Sequence, residues 1–353
     1  MLRLIFFTLI LSLGLSNGFS ASTGFSTVAY GAERVGILDV SEVLLRPALI
    51  LVEGDGMEFD LQDSRFKVGW RRDRNFSSTL AIGSRSSTNL PQFFSEEAPD
   101  RDLGIFEAYA QYEGVYGRFR AGLIPLSFGH DATVSAHDRV FPRPMIYSER
   151  LVALRDFGVS FYTSYNGYYT ELIAHNGEID HKPNDGNLWL TSRWGWSNER
   201  DFSVQISAQA GSTNKEATEN GASGLAGFDS ERDAQWRSAS FFAAWNSRKW
   251  EVVYQSSSGE VEQDSDKGRF VSHQFDLTHY FRPTFGMGLR YDSLDPNTRE
   301  SGDQETRSSL VLIFQSEDGS SAVHLVGTKR RLEKNDINND EIRLSWRLTP
   351  FVN

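Results

Sequence analysis

Residues 285–292 read FGMGLRYD, and residues 341–349 read EIRLSWRLT. In the first stretch Phe285, Met287, Leu289 and Tyr291 alternate with Gly286, Gly288, Arg290 and Asp292. In the second, Ile342, Leu344, Trp346 and Leu348 alternate with Glu341, Arg343, Ser345, Arg347 and Thr349. A period of two places each set on its own face of an extended strand. One face is apolar and aromatic, the other glycine-rich or charged. Such strands, repeated between turns and polar loops, predict an all-β, antiparallel transmembrane β-barrel, apolar toward lipid and polar toward a wet lumen.

The rest of the chain fits that frame. Arg3, the apolar run Leu4 to Leu15 and the small residues around Ala21 read as an export signal over residues 1–21. That run is too short to span a bilayer, which takes about 20 apolar residues. No later stretch reaches that length; Leu44 to Val52 is broken by Arg46 and Pro47. The mean hydropathy of -0.42 suits a barrel, half of whose strand residues face water. The absence of cysteine argues against a disulfide-stapled secreted module. A formal charge of -11 disfavours nucleic acid as a partner. Abundant aromatics, 8 Trp, 12 Tyr and 25 Phe, would supply girdles at the two membrane interfaces.

About sixteen strands are expected from 46–54 to 339–349, with fourteen or eighteen also compatible. Residues 22–45 are expected to form an irregular or periplasmic segment before a single barrel domain, 46–353. Short connections at Asp73-Arg74, Gly114, Asn166, Ser247 and Glu317-Asp318 alternate with long ones at 85–102, 125–154, 176–185, 212–234, 258–268, 294–304 and 331–338. Barrels have short periplasmic turns and long outer loops. Acidic residues gather in the segments read as outer loops, among them 53–63, 212–234 and 258–268, as solvated surface. The lumen face is different. By parity Arg65, Lys67, Arg118, Arg120, Arg193, Arg290, Arg343 and Arg347 point inward, with Glu107, Asp156, Glu171, Asp276 and Asp292. A mildly basic lumen favours anions. Parity also makes Gly288 a tolerant inward site beside lipid-facing Leu289.

The segment 125–154 is apolar for a loop, with Phe128, Phe141, Met145, Ile146, Tyr147 and Leu151. Such a loop should pack against something, and folding into the barrel is the natural solution. Arg139, Arg143 and Arg150 would then line the narrowed passage, with Asp131, Asp138 and Glu149 as partners. The stretch 107–129, EAYAQYEGVYGRFRAGLIPLSFG, followed by ERLVALRDFGV at 149–159, resembles the phosphate-selective porin O and P family. The resemblance implies a 16-stranded barrel, commonly trimeric, whose third outer loop constricts the channel. Arg118, Arg120 and Arg155 fall in these matching stretches.

His130-Asp131 and His137-Asp138 pair imidazole with carboxylate, but seven residues apart is no familiar ligand spacing. Ser127 and Ser135 lie near them without a nucleophile motif. No cofactor or metal is expected. The expectation is a Gram-negative outer-membrane porin passing small polar solutes or anions, in contact with membrane lipid and lipopolysaccharide. A plugged barrel of structural or adhesive role and a barrel hydrolase are the alternatives.

Overall fold

The computed structural model describes residues 37–349, apart from 54–55, 61–63, 85–102, 135–137, 149–150, 153, 178–187, 199–200, 214–233, 264–265 and 334–339. The expected signal, 1–21, lies outside the described residues.

Eighteen strand segments follow one another. The first nine are β1 (Ile37–Leu44), β2 (Ala48–Val52), β3 (Gly56–Asp60), β4 (Arg65–Arg71), β5 (Phe76–Ser84), β6 (Leu103–Gly114), β7 (Gly117–Pro125), β8 (Arg155–Tyr165) and β9 (Tyr168–His175). The rest are β10 (Trp189–Ser197), β11 (Phe202–Thr213), β12 (Ala234–Asn246), β13 (Trp250–Gln263), β14 (Asp266–Arg282), β15 (Phe285–Asp295), β16 (Glu305–Gln315), β17 (Ser321–Leu332) and β18 (Glu341–Leu348). One helical turn, α1 (Met145–Ser148), interrupts them.

From β4 to β18 each strand pairs antiparallel with the next. The N-terminal hairpin completes the order. β1 pairs with β4 and β2 with β3, so β1–β2 and β3–β4 are two long strands, each interrupted once. Pro47, which cannot donate to a ladder, sits at the first interruption. Counted that way, the eighteen segments make sixteen strands. β18 pairs with β2 through Glu341–Val52 to Ser345–Ala48, and Leu45 bridges Leu348. Through these two interrupted strands the succession of pairs runs back toward its start; among the described residues, the edge of β1 away from β4 meets β18 only at the adjoining Leu45–Leu348 bridge.

The register confirms the parity. Leu277, Leu289 and Leu310 lie abreast on the outer face, Leu289 and Leu310 about half exposed and Leu277 partly so, with Thr278, Gly288 and Val311 abreast on the inner one. An aromatic cluster of Trp250, His279, Phe281, Phe285 and Phe314 bands the outer wall near the short turns.

Two expectations change. Strand pairing begins at Ile37, so the barrel starts before residue 46 and takes in the end of the segment expected to be irregular. The described residues of the acidic stretches 53–63 and 258–268 are mostly strand: Glu58 and Asp60 lie in β3, Glu260 and Glu262 in β13, Asp266 in β14. β13 and β14 run to 14 and 17 residues. A tilted strand crosses a bilayer in about 9–11. Their ends therefore project beyond it, where no lipid enforces an apolar outer face.

Candidate channel lumen

The loop from Leu126 to Leu154 leaves β7 and runs inside the barrel. Its apolar side chains make the wall contacts. Phe128, Met145, Ile146, Tyr147, Leu151 and Leu154 are buried with Trp189, Trp236, Val261, Phe270 and Leu294, which come from β10 and β12 to β15. Phe141 packs on Val311, Ile313 and Val326 of β16 and β17. Burying each of these large side chains is worth about 1.5–3 kcal/mol, enough in sum to hold a loop in place. Gly288 makes room for one of them: a Cβ there would stand 2.8 Å from Phe141 and 2.9 Å from Val311. The inward glycine is thus a seat for the loop, and the tolerance expected at that site is corrected.

Polar contacts fix the loop along its length. Ser127 Oγ donates to Glu171 at 2.8 Å, the Gly129 amide to Ser207 Oγ at 3.1 Å, and the His130 amide to Gln255 Oε1 at 2.7 Å. The Met145 amide donates to Asp292 at 2.5 Å, and Arg307 to Ser148 Oγ at 2.9 Å. Arg290 is the central clamp. Its guanidinium meets both oxygens of Asp276 at 2.6 Å, donates to the Pro142 carbonyl and lies 3.9 Å from Asp131. Tyr147 donates to the Phe128 carbonyl at 2.6 Å. Burial pushes its phenol well above the ordinary range, so it stays a donor. For Asp131, burial alone would raise the carboxyl. Arg290, a hydrogen bond from His130, and Arg139 more than offset this and hold it well below the usual range.

The expected site residues therefore divide. Arg139 is buried, 3.8 Å from Asp131, and its carbonyl accepts from Arg46 at 3.0 Å. It anchors the loop rather than lining a passage, because a desolvated guanidinium is stable only beside its carboxylate. Arg143 is half-buried, and Arg150 lies outside the described residues. Arg155 lies over Phe106 and 3.7 Å from Glu107, which Lys67 also reaches at 2.8 Å. Arg118 and Arg120 belong to the wall strand β7. Both are partly exposed on inner β7. Arg118 stacks on Tyr162 at 4.7 Å, Arg120 on Tyr109 at 5.4 Å. Arg193 joins them between Tyr162 and Tyr169 and holds Glu171 at 2.8 Å. Parity named Arg193 as inward, but only the register of β7 to β10 reveals that it shares Tyr162 with Arg118.

Inward residues under the loop, such as Gln205, Ser207, Gln255, Gln274 and Asp276, are buried. Those on the turn-proximal halves of β6 to β10, and on outer β16 to β18, keep partial exposure. In the latter region Arg307 and Arg330 share Glu305 at 2.7 and 2.6 Å, and Arg343 holds Glu341 at 2.7 Å. In each exposed cluster bases outnumber acids: Arg118, Arg120 and Arg193 to Glu171 and Glu113, the cross-strand neighbour of Arg118; Lys67 and Arg155 to Glu107; Arg307, Arg330 and Arg343 to Glu305 and Glu341.

A further chain of groups went unread in the sequence. His175 Nδ1 lies 2.7 Å from Asp156 and Nε2 lies 2.9 Å from Thr191 Oγ1, all buried. The Gly177 amide also donates to Asp156. The set ties β8, β9 and β10 together beside the loop root. Ser127, bound to Glu171, does not pair with His130, which packs edge-on to Phe242. His137 and Ser135 lie outside the described residues.

No family model matches the chain, and no curated protein does. Solved structures do. The anion-selective porin from Comamonas acidovorans is similar at a TM-score of 0.67 and 9% identity, over 89% of this chain and 99% of that one. The in-vitro folded OmpT outer membrane protein of Vibrio cholerae, in its trimer form, is similar at 0.65 and 10%, over 89% and 99%. The outer membrane channel DcaP of Acinetobacter baumannii is similar at 0.61 and 11%, over 91% and 99%. At such identity the likeness speaks for architecture: the chain has the all-β fold of the bacterial outer-membrane porins.

Proposed function

We propose that this chain is an outer-membrane porin of a Gram-negative bacterium, passing small polar solutes down their gradient with a preference for anions. The observation that carries the reading is the asymmetric lumen. A fixed loop fills one side, while water-accessible, net basic clusters occupy the other. Field lines between low-dielectric walls concentrate at such clusters, so a few fixed charges bias permeation more than many on distant loops. The tyrosine rings hold the guanidinium planes and leave their edges as donors to an anion. The same residues support the narrower likeness to phosphate-selective porins, since Arg118 and Arg120 stand in its motif. A homotrimer is proposed with it, by analogy with the trimer form of the Vibrio cholerae protein. No chemistry is assigned to the channel.

The test is reversal potential in a salt gradient across planar bilayers. The wild type should show anion preference. Replacing Arg118, Arg120 and Arg193 by Gln should move it toward cations, whereas Glu260→Gln with Glu262→Gln should barely move it. A barrel that carries no steady current would overturn the channel reading and favour a plugged lumen.

A further inference from the structure

The lipid-facing wall holds a feature the channel does not use. One hydrogen-bonded row crosses it through Leu277, Leu289, Leu310, Gly327, Ile342 and Leu51. Every member but one presents a large apolar side chain. At Gly327 an added Cβ would meet nothing within 4 Å. The gap opens a groove of about 600 Å³ between Leu289, Leu310 and Ile342, within the range of ligand pockets, roughly 300–1,000 Å³. Its upper border changes character. The next row reads Phe275, Tyr291, Ser308 and Lys329, and Arg331 lies one outward position farther toward the long loops, beside Thr306. Lys329 and Arg331 are exposed and have no ion-pair partner among the described residues. Asp340 and Glu341 also border the groove, but Glu341 is held by Arg343 at 2.7 Å.

We propose that this groove is a specific lipid site: one acyl chain fills the gap over Gly327, and the phosphate of a phosphorylated glycolipid in the outer leaflet sits on Lys329 and Arg331. The chain alone would not select. Bulk lipid tails are as apolar as the groove, so a bound tail gains packing but no hydrophobic driving force. Selection must come from the headgroup, and a pair of cations directly above an apolar slot meets an anionic lipid at the required depth. Gly327 to Lys329 is two residues, about 7 Å along the strand, so the slot ends just below the charges. The inference rests on the membrane location proposed above but not on conduction.

The experiment is native mass spectrometry of the mature protein released from detergent, with bisphosphorylated hexa-acyl lipid A as the probe. The wild type should carry one saturable adduct. Lys329→Ala with Arg331→Ala should weaken it at least tenfold, and Gly327→Leu, which fills the slot, should do the same. The dephosphorylated probe should bind the wild type about as weakly as the bisphosphorylated probe binds the double variant. Folding of each variant is read from the heat-dependent gel shift, and single-channel conductance is read on the same samples. Adducts of equal strength in all variants would mean an unselective lipid shell and overturn the proposal. So would a change of oligomeric state on Gly327→Leu, since the groove would then be a contact between copies. A wild type that binds the lipid selectively but conducts nothing would support the site while removing the channel.

Discussion

Arg290 shows how much of the lumen one residue organises. It is buried against Asp276, Asp131 and the Pro142 carbonyl, so its removal strips the desolvated Asp276 carboxylate of its cation and leaves Asp131 to Arg139. Breaking a buried pair from one side costs about 3–5 kcal/mol. We expect Arg290→Met to lower thermal stability and release the loop, seen as larger, noisier single-channel currents. A variant with wild-type current and melting would show that the clamp carries no weight. The neighbouring pair gives a second test. Leu289→Arg should destabilise the barrel by about 2–4 kcal/mol if it lies near the bilayer midplane, measured by reversible unfolding into denaturant. Gly288→Ser should change conductance instead, because its side chain must displace Phe141. Alternation made the faces of both residues legible. What meets Arg290 from a loop nearly 150 positions earlier leaves no local trace, and Arg139 was misread for the same reason: its partner is set by the fold, not by spacing.

Among the elements, turns were easier to read than strand ends. Asn166 and Gly167 take positive φ, 51° and 83°, between β8 and β9, the pairing that a two-residue hairpin requires. In the turn between β16 and β17, Asp318 accepts from Ser316 Oγ, the Ser320 amide and Ser320 Oγ. These bonds, the Ser316 hydroxyl first, lower its carboxyl to about 2. A depressed carboxylate favours the folded turn above its unfolded value of 3.8 and loses that contribution as pH falls through 2. The Ser320 amide shift, followed by NMR in micelles, should therefore titrate near 2; a midpoint at 3.8 would remove the claim. Strand ends were obscured where β13 and β14 leave the membrane. There 258–268 carries a single apolar residue, Val261, among acidic and small ones and reads as loop, although Glu262 and Lys267 pair across the strands at 2.9 Å. The start of β1 was hidden by Arg46 and Pro47, which look like a boundary and are only an interruption.

For the whole molecule, the composition misleads in one respect. The chain is acidic, yet the exposed lumen clusters are basic, while acids such as Glu260, Glu262 and Asp266 stand on projecting strand ends. Charges there are screened within about 8–10 Å at physiological salt, so raising ionic strength should weaken any effect of Glu260 and Glu262 before it weakens that of Arg118 and Arg120. Reversal potentials at two salt levels check this. The seam between β18 and β2 has a further consequence, in time rather than in space. Leu51 and Ile342 are partners drawn from opposite ends of the chain. Contacts of such separation form late and slow assembly. Until Glu341 to Ser345 arrive, β2 and β17 each present an open edge that can pair with the wrong strand. A copy in which that segment has not yet docked therefore keeps two strand edges exposed, a stage at which mispairing and aggregation compete with completion of the wall.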